Sequence, residues 1–265
     1  MSDTNEILVH ENGKICTLSI NRPEKRNALT PDSLLRIEDE LTRLAKENTV
    51  RCVVLRGAGE KAFSSGYDIS AIGEQKNEMM RDYYPDHPLI RVAEAIESFP
   101  YPVIAMINGH AFGAGLEIAI TCDIRIAVDR ARFAMPPAKL GIIYTYTGIR
   151  RFLNLIGIGY TKELFLAGRT IDSKRAQDMG LLNYVASPEE LEGFTYELAA
   201  EISENAPLSM KTMKTMINSW QLNQLLSPNQ EERIKELIMQ VEKSEDYKEG
   251  RRAFAEKRKP VFKGK

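Results

Sequence analysis

Short apolar runs that end in glycine alternate with longer stretches of helical spacing, and this alternation predicts an α/β chain rather than an all-α or all-β one. Cys16, Leu18 and Ile20 alternate with Thr17 and Ser19 as a half-buried strand would. Thr30 before Pro31 predicts an N-cap followed by proline at the first helical position, after which Leu34, Leu41 and Leu44 keep one helical face apolar. Cys52 to Leu55 predict a short buried strand ending at Gly57-Ala58-Gly59, and Val103 to Ile107 predict a second one running into another glycine-rich turn. From about Ser187 the spacing changes to long charged amphipathic helices, including Glu189 to Asn205 and Glu231 to Lys243, punctuated by Pro207 and Pro228. No low-complexity linker separates the two parts. The chain therefore divides into an α/β core over residues 1–195 and a packed helical region over residues 196–265.

The segment from Ile107 to Asp123, INGHAFGAGLEIAITCD, changes the picture from fold to chemistry. Gly113 and Gly115 allow close backbone approach, and the mostly apolar Leu116 to Thr121 have helix-compatible spacing. Amides at a helix start carry partial positive charge, so an anion or a developing enolate oxygen suits that turn. Glu117 then places an ionisable group one turn into an apolar helix, which is costly unless the group is paired or used. A tight turn with a hydrogen-bonded Glu117 is the structural alternative to a functional one. Neither common nucleotide motif is present: Lys61 lacks the neighbours of a P-loop lysine, and Ile118 holds the place of the third glycine of a dinucleotide fingerprint.

Composition narrows the class. The 265 residues suffice for one large core, and Lys+Arg 36 against Asp+Glu 37 directs the chain neither to nucleic acid nor to an acidic membrane surface. MSDTNEILVH has no basic segment leading into an apolar one, and no run of about 18 apolar residues occurs, so neither a signal peptide nor a membrane span is expected. Cys16, Cys52 and Cys122 lack CxxC spacing and sit in apolar settings, as reduced buried thiols of a cytoplasmic protein do. The scattered His10, His87 and His110 argue against a dedicated metal site.

A second glycine-containing loop, Ala62-Phe63-Ser64-Ser65-Gly66-Tyr67-Asp68-Ile69, follows the Cys52 strand as the Gly113 turn follows the Val103 strand. Two strand ends of this kind can aim two amides at one oxygen. Together with Asn21-Arg22-Pro23-Glu24-Lys25-Arg26-Asn27-Ala28-Leu29, and continuing through 171–183 and 244–262, this pairing resembles the crotonase (enoyl-CoA hydratase/isomerase) superfamily over nearly the whole chain. The resemblance implies a spiral core of ββα repeats, a C-terminal helical region that builds trimers or dimers of trimers, and an acyl-CoA thioester as ligand. Coenzyme A arrives as part of the substrate, and no separate cofactor is implied. By motif, the amides of Tyr67 and Ala114 hold the thioester oxygen, Ala114 standing where many members carry glycine. The segment with Lys25, Arg26 and Ala28 handles the CoA nucleotide. Ala62, Ser64, Asp68, Ile69 and Pro136 line the ligand, and Phe254 and Lys257 reach a CoA, often that of a neighbouring subunit. Taken alone, the basic tail Arg251 to Lys265 reads as a solvated helix end, and Asp68 as a loop cap.

Hydratases of this superfamily use two glutamates. Glu117 matches the first, but Pro137 falls at the second, and proline neither gives nor accepts a proton. The segments from Pro137 to Tyr144, Ser244 to Tyr247 and Phe254 to Pro260 are similar to the methylmalonyl-CoA-type decarboxylase branch, in which a tyrosine stands at the position of Tyr144. That branch carries histidine where Tyr67 stands and threonine where Pro136 stands, so the acyl group can differ. The resemblance thus implies an enolate-stabilising decarboxylase, with hydration or isomerisation by Glu117 as the alternative and a catalytically weak acyl-CoA binder or scaffold as a third reading. Asp82, Asp86 and His87 are further candidates for a replacement acid or base.

Overall fold

The structure is a computed structural model and describes residues 5–68, 87–222 and 228–263. Ile69, Asp82 and Asp86 lie outside the described residues. The elements run β1 (Ile7–Asn12), β2 (Ile15–Ile20), α1 (Pro31–Glu47), β3 (Cys52–Gly57), β4 (Ala62–Ser64), α2 (Pro88–Ser98), β5 (Val103–Ile107), β6 (His110–Phe112), α3 (Ala114–Thr121), β7 (Ile124–Val128) and β8 (Arg132–Ala134). After them come α4 (Tyr146–Lys162), β9 (Ile171–Asp172), α5 (Ser173–Asp178), β10 (Tyr184–Ala186), α6 (Leu191–Glu204), α7 (Pro207–Leu222), α8 (Pro228–Lys243) and α9 (Glu245–Ala255).

The strands form a six-stranded sheet in the order β1-β2-β3-β5-β7-β10 and a four-stranded sheet in the order β4-β6-β8-β9. Consecutive pairs β3/β4, β5/β6 and β7/β8 each send their first strand to the larger sheet and their second to the smaller one, which is the spiral expected from the resemblance. Only the outer hairpin β1–β2 and the β8–β9 pair are antiparallel among the described strands. A parallel strand covered on both faces must be apolar throughout, and Cys52, Val53, Val54 and Leu55 of β3 are all buried.

Local chemistry sets the helix ends. Thr30 accepts from the Ser33 amide while the Ser33 hydroxyl accepts from the Thr30 amide, a capping box that starts α1 where the sequence predicts. The expected half-buried character of β2 is corrected at Thr17, which is buried because α6 crosses that face and Thr17 Oγ1 hydrogen-bonds to Tyr196 Oη at 2.9 Å. The division expected at 195/196 falls inside α6, whose Thr195 and Ala199 are buried in the core. Helix α7 is anchored by Lys214, which donates to Ile96 O, Tyr101 O and Asp123 Oδ2 at 3.2, 3.0 and 2.7 Å. No helix among the described residues is long and apolar enough to cross a membrane.

Candidate active site

Two asparagines hold the loops that frame the site. Asn27 donates to Ala58 O and Ala62 O and accepts from the Arg22 amide, while Asn108 accepts from the Gly57 amide and donates to Gly57 O and Gly59 O. They tie the Asn21–Leu29 segment, the end of β3 and the end of β5 into one rim. The segment at 66–68 then runs beside 28–29, with Leu29 N donating to Gly66 O and Asp68 N to Leu29 O, both at 2.8 Å.

The two glycine loops meet. Gly66 has φ +97°, a conformation that favours glycine, and a Cβ built on it would stand 2.9 Å from Phe112 O and 3.6 Å from Ala114 N. Gly115 is equally tight against the other loop, since its Cβ would fall 2.5 Å from Ser64 Cβ. The backbone preceding Tyr67 thus lies against the first residue of α3. Ala114 N–H, at the first helical position, has no acceptor within its own helix and lies at the positive end of the helix dipole.

Glu117 is 2% exposed and sits in the first turn of α3. The Tyr144 hydroxyl donates to its Oε2, and Arg151 Nη1 donates to its Oε1 at 3.0 Å. Arg151 is in turn gripped by Glu97 of α2, with Nε to Oε1 at 2.7 Å and Nη2 to Oε2 at 3.3 Å. Burial pushes the Glu117 carboxyl above the usual carboxylate range, opposed by the Arg151 charge and the Tyr144 hydrogen bond. Burial works against the Arg151 charge as well, but the hydrogen bonds and fields of Glu97 and Glu117 outweigh it and hold the guanidinium above the ordinary arginine value. Glu117 is therefore paired, as its burial in an apolar helix demands.

The other residues singled out in the sequence fall around this centre or away from it. Ala28, Ala62 and Ser64 are buried in the loop rim, and Ser64 Oγ accepts from the Gly66 amide. Asp68 receives Arg22 Nη2 at 2.9 Å, an ion pair that caps the loop from within the same chain. Lys25 and Arg26 form an exposed turn, with Arg26 in the left-handed region. Pro136 is half-buried and precedes the 3-10 turn Pro137–Leu140, which lies near the Gly113 turn because Gly113 N donates to Ala134 O. Phe254 and Lys257 face solvent at the end of α9, Phe254 being 52% exposed. His87 is buried as the N-cap of α2, its Nδ1 accepting from Leu89 N, with its ring 5.8 Å from that of Tyr67.

Arg151 and Glu97 were not identified from the sequence. A weak signal was present: Tyr144, Gly148 and Arg151 share a helical spacing, but Arg150 and Arg151 are adjacent and only the fold separates them.

Residues 10–265 match the family model described as enoyl-CoA hydratase/isomerase. A short-chain-enoyl-CoA hydratase of Clostridium acetobutylicum is 36% identical over 258 residues, covering 97% of each chain. A crystal structure of methylmalonyl CoA decarboxylase complexed with 2S-carboxypropyl CoA is 34% identical, superposes with a TM-score of 0.92 and covers 100% of both chains. An enoyl-CoA hydratase from Bacillus anthracis is 31% identical with a TM-score of 0.75, covering 98% of this chain and 100% of its own. Fold, loop pairing and full-length similarity agree, and the chain belongs to the enoyl-CoA hydratase/isomerase family, the crotonase superfamily.

Proposed function

We propose that this crotonase-superfamily protein decarboxylates a malonyl-type CoA thioester, of which methylmalonyl-CoA is the first to test. The observation that carries this reading is the state of Glu117: one oxygen receives Tyr144 and the other receives Arg151, so both are engaged by protein donors, whereas hydration relies on a second acid. Pro137 supplies no such second group. Hydration needs a carboxylate that moves a water proton. Decarboxylation needs none to begin, because the breaking C–C bond leaves its electrons in the thioester as an enolate. The higher TM-score to the decarboxylase than to the hydratase supports the same choice.

In this scheme the amides of Tyr67 and Ala114 receive the enolate oxygen. Entry of the substrate carboxylate adds a like charge beside Glu117, which then takes up a proton from solvent and hydrogen-bonds through it to Tyr144 Oη, and the substrate carboxylate leaves as CO2. The phenol proton is released to the enolate carbon: the O–H bond of Tyr144 breaks as C–H forms, and the Glu117 proton restores the phenol. Lys25, Arg26, Ala28 and the Ala62–Asp68 loop hold the CoA, which enters as part of the substrate with no further cofactor. The trimer or dimer of trimers belongs to the same proposal, and sedimentation velocity tests it.

A second reading, hydration by Glu117, is favoured by the 36% identity to the Clostridium hydratase. Incubation with methylmalonyl-CoA and with crotonyl-CoA, resolving the thioesters by mass, separates the two. Formation of propionyl-CoA is expected. Addition of water to crotonyl-CoA without decarboxylation would replace the first reading by the second, and silence on both would exclude these two acyl groups as substrates.

A further inference from the structure

Two carboxylates, Glu117 of α3 and Glu97 of α2, face one buried cation, Arg151 of α4. Arg151, with its side chain 9% exposed, lies between Glu117 at 2% and Glu97 at 25%. The Glu97 arm is the stronger, because its carboxylate meets the guanidinium fork on two nitrogens whereas Glu117 meets one. The backbone of Glu97 is itself fixed, its carbonyl accepting from Asn218 Nδ2 of α7 at 2.7 Å. An arginine that faced Glu117 alone would give its whole field to that carboxylate and hold it ionised. Here the field is divided.

We infer that Glu97 is a positioning residue that takes up most of the Arg151 charge and so leaves Glu117 able to hold the proton passed on through Tyr144. Resting on the decarboxylase reading for its kinetic consequence, the inference has a geometric core that does not depend on it. The titratable groups that act most strongly on Glu117 are Arg151 from α4, Tyr144 from the segment before α4, and Glu97 from α2. Glu94, one turn before Glu97 on α2, is raised by burial and by Glu97 and interacts with Arg151, adding negative charge to the same side. Besides Glu117, α3 contributes no Asp, Glu, Lys, Arg, His, Tyr or Cys. The cluster therefore carries more carboxylates than cations, and Glu97, which hydrogen-bonds Arg151 directly, can be neutralised without touching Tyr144 or Glu117.

The test is the titration of the Glu117 side-chain carboxyl, followed by carbon-13 NMR and identified by its loss in Glu117→Gln. In Glu97→Gln the midpoint moves to lower pH, because Arg151 is left with Glu117 as its anion. In Glu97→Asp, which keeps the charge, it stays near the wild-type value. Glu97→Met, of similar volume, serves the same end if the Gln variant does not fold. A midpoint that is unchanged or higher when the charge is removed overturns the inference. With methylmalonyl-CoA, kcat of Glu97→Gln at neutral pH falls about tenfold, KM is unchanged, and the alkaline limb of the kcat profile moves to lower pH. If the wild type does not turn over methylmalonyl-CoA, the decarboxylase reading fails while the NMR titration still decides the role of Glu97.

Discussion

Gly148 lies directly beneath the Tyr144 ring: a Cβ built on it would stand 2.6 Å from Tyr144 Cε1 and 2.9 Å from Thr145 Oγ1. The ring also packs against Phe165, edge to face at 5.4 Å between centroids. A methyl group at 148 therefore moves the phenol, and the hydroxyl leaves Glu117. Gly148→Ala is expected to lower kcat about a hundredfold, the cost of misplacing a reacting group by an ångström or so, with the fold retained by circular dichroism. Tyr144→Phe keeps the ring and removes only the proton, and its kcat should fall about 10²- to 10⁴-fold. An unchanged rate in Tyr144→Phe would remove the tyrosine from the mechanism.

Asn108 is buried and makes three hydrogen bonds to the backbone at the end of β3. Replacing it by Ala leaves the Gly57 amide and carbonyl without these partners. Asn108→Ala is expected to cost about 2–4 kcal/mol, read as a lower urea midpoint with an unchanged slope. A loss below about 0.5 kcal/mol would show that the rim does not depend on this side chain.

Burial holds His87 neutral and lowers its pKa to about 4. Between its unfolded value near 6.5 and 4 the unfolded chain binds a proton that the folded chain refuses, so stability is lost as pH falls through this window. The loss attributable to His87 approaches about 3 kcal/mol. His87→Asn keeps an N-capping acceptor but no titrating group. Urea unfolding at pH 7 and pH 5 should show a smaller acid loss in that variant than in the wild type, and equal losses would assign the acid sensitivity elsewhere.

Cys16, Cys52 and Cys122 are free and buried, and desolvation pushes each thiol up to about 12. Since the thiolate is the reactive form, none should react with an aromatic disulfide reagent in the native protein at pH 8, while all should react after unfolding in urea. Rapid modification of one thiol in the native state would contradict its placement.

Much of the site's backbone was legible because it depends on neighbours in sequence. Thr30 and Pro31 announce a helix start by their own chemistry, and the apolar run Val103–Ile107 followed by glycines announces a strand feeding a helix. The cost of burying Glu117 was legible too, and with it the need for a partner. Which partner was not. Arg151 lies 34 residues further along, in a helix whose arginines have no pattern that ranks one above the other, and Glu97 reaches it from a different helix. The burial of Thr17 escaped for a similar reason, because α6 arrives on β2 from 179 residues away in sequence.

The amino-acid sequence alone determined the strands at 16–20, 52–55 and 103–107 with the helices that follow Thr30 and Gly113, the two glycine loops, the absence of a second glutamate at Pro137 and the membership these motifs imply, since all are properties of short segments. Only the tertiary structure decided that Gly66 meets the start of α3 and that Glu117 shares one cation with Glu97. Those relationships arise when parallel strands and their covering helices bring distant segments to a common end of the sheet, where burial forces each charged side chain to pair with whichever group the packing delivers.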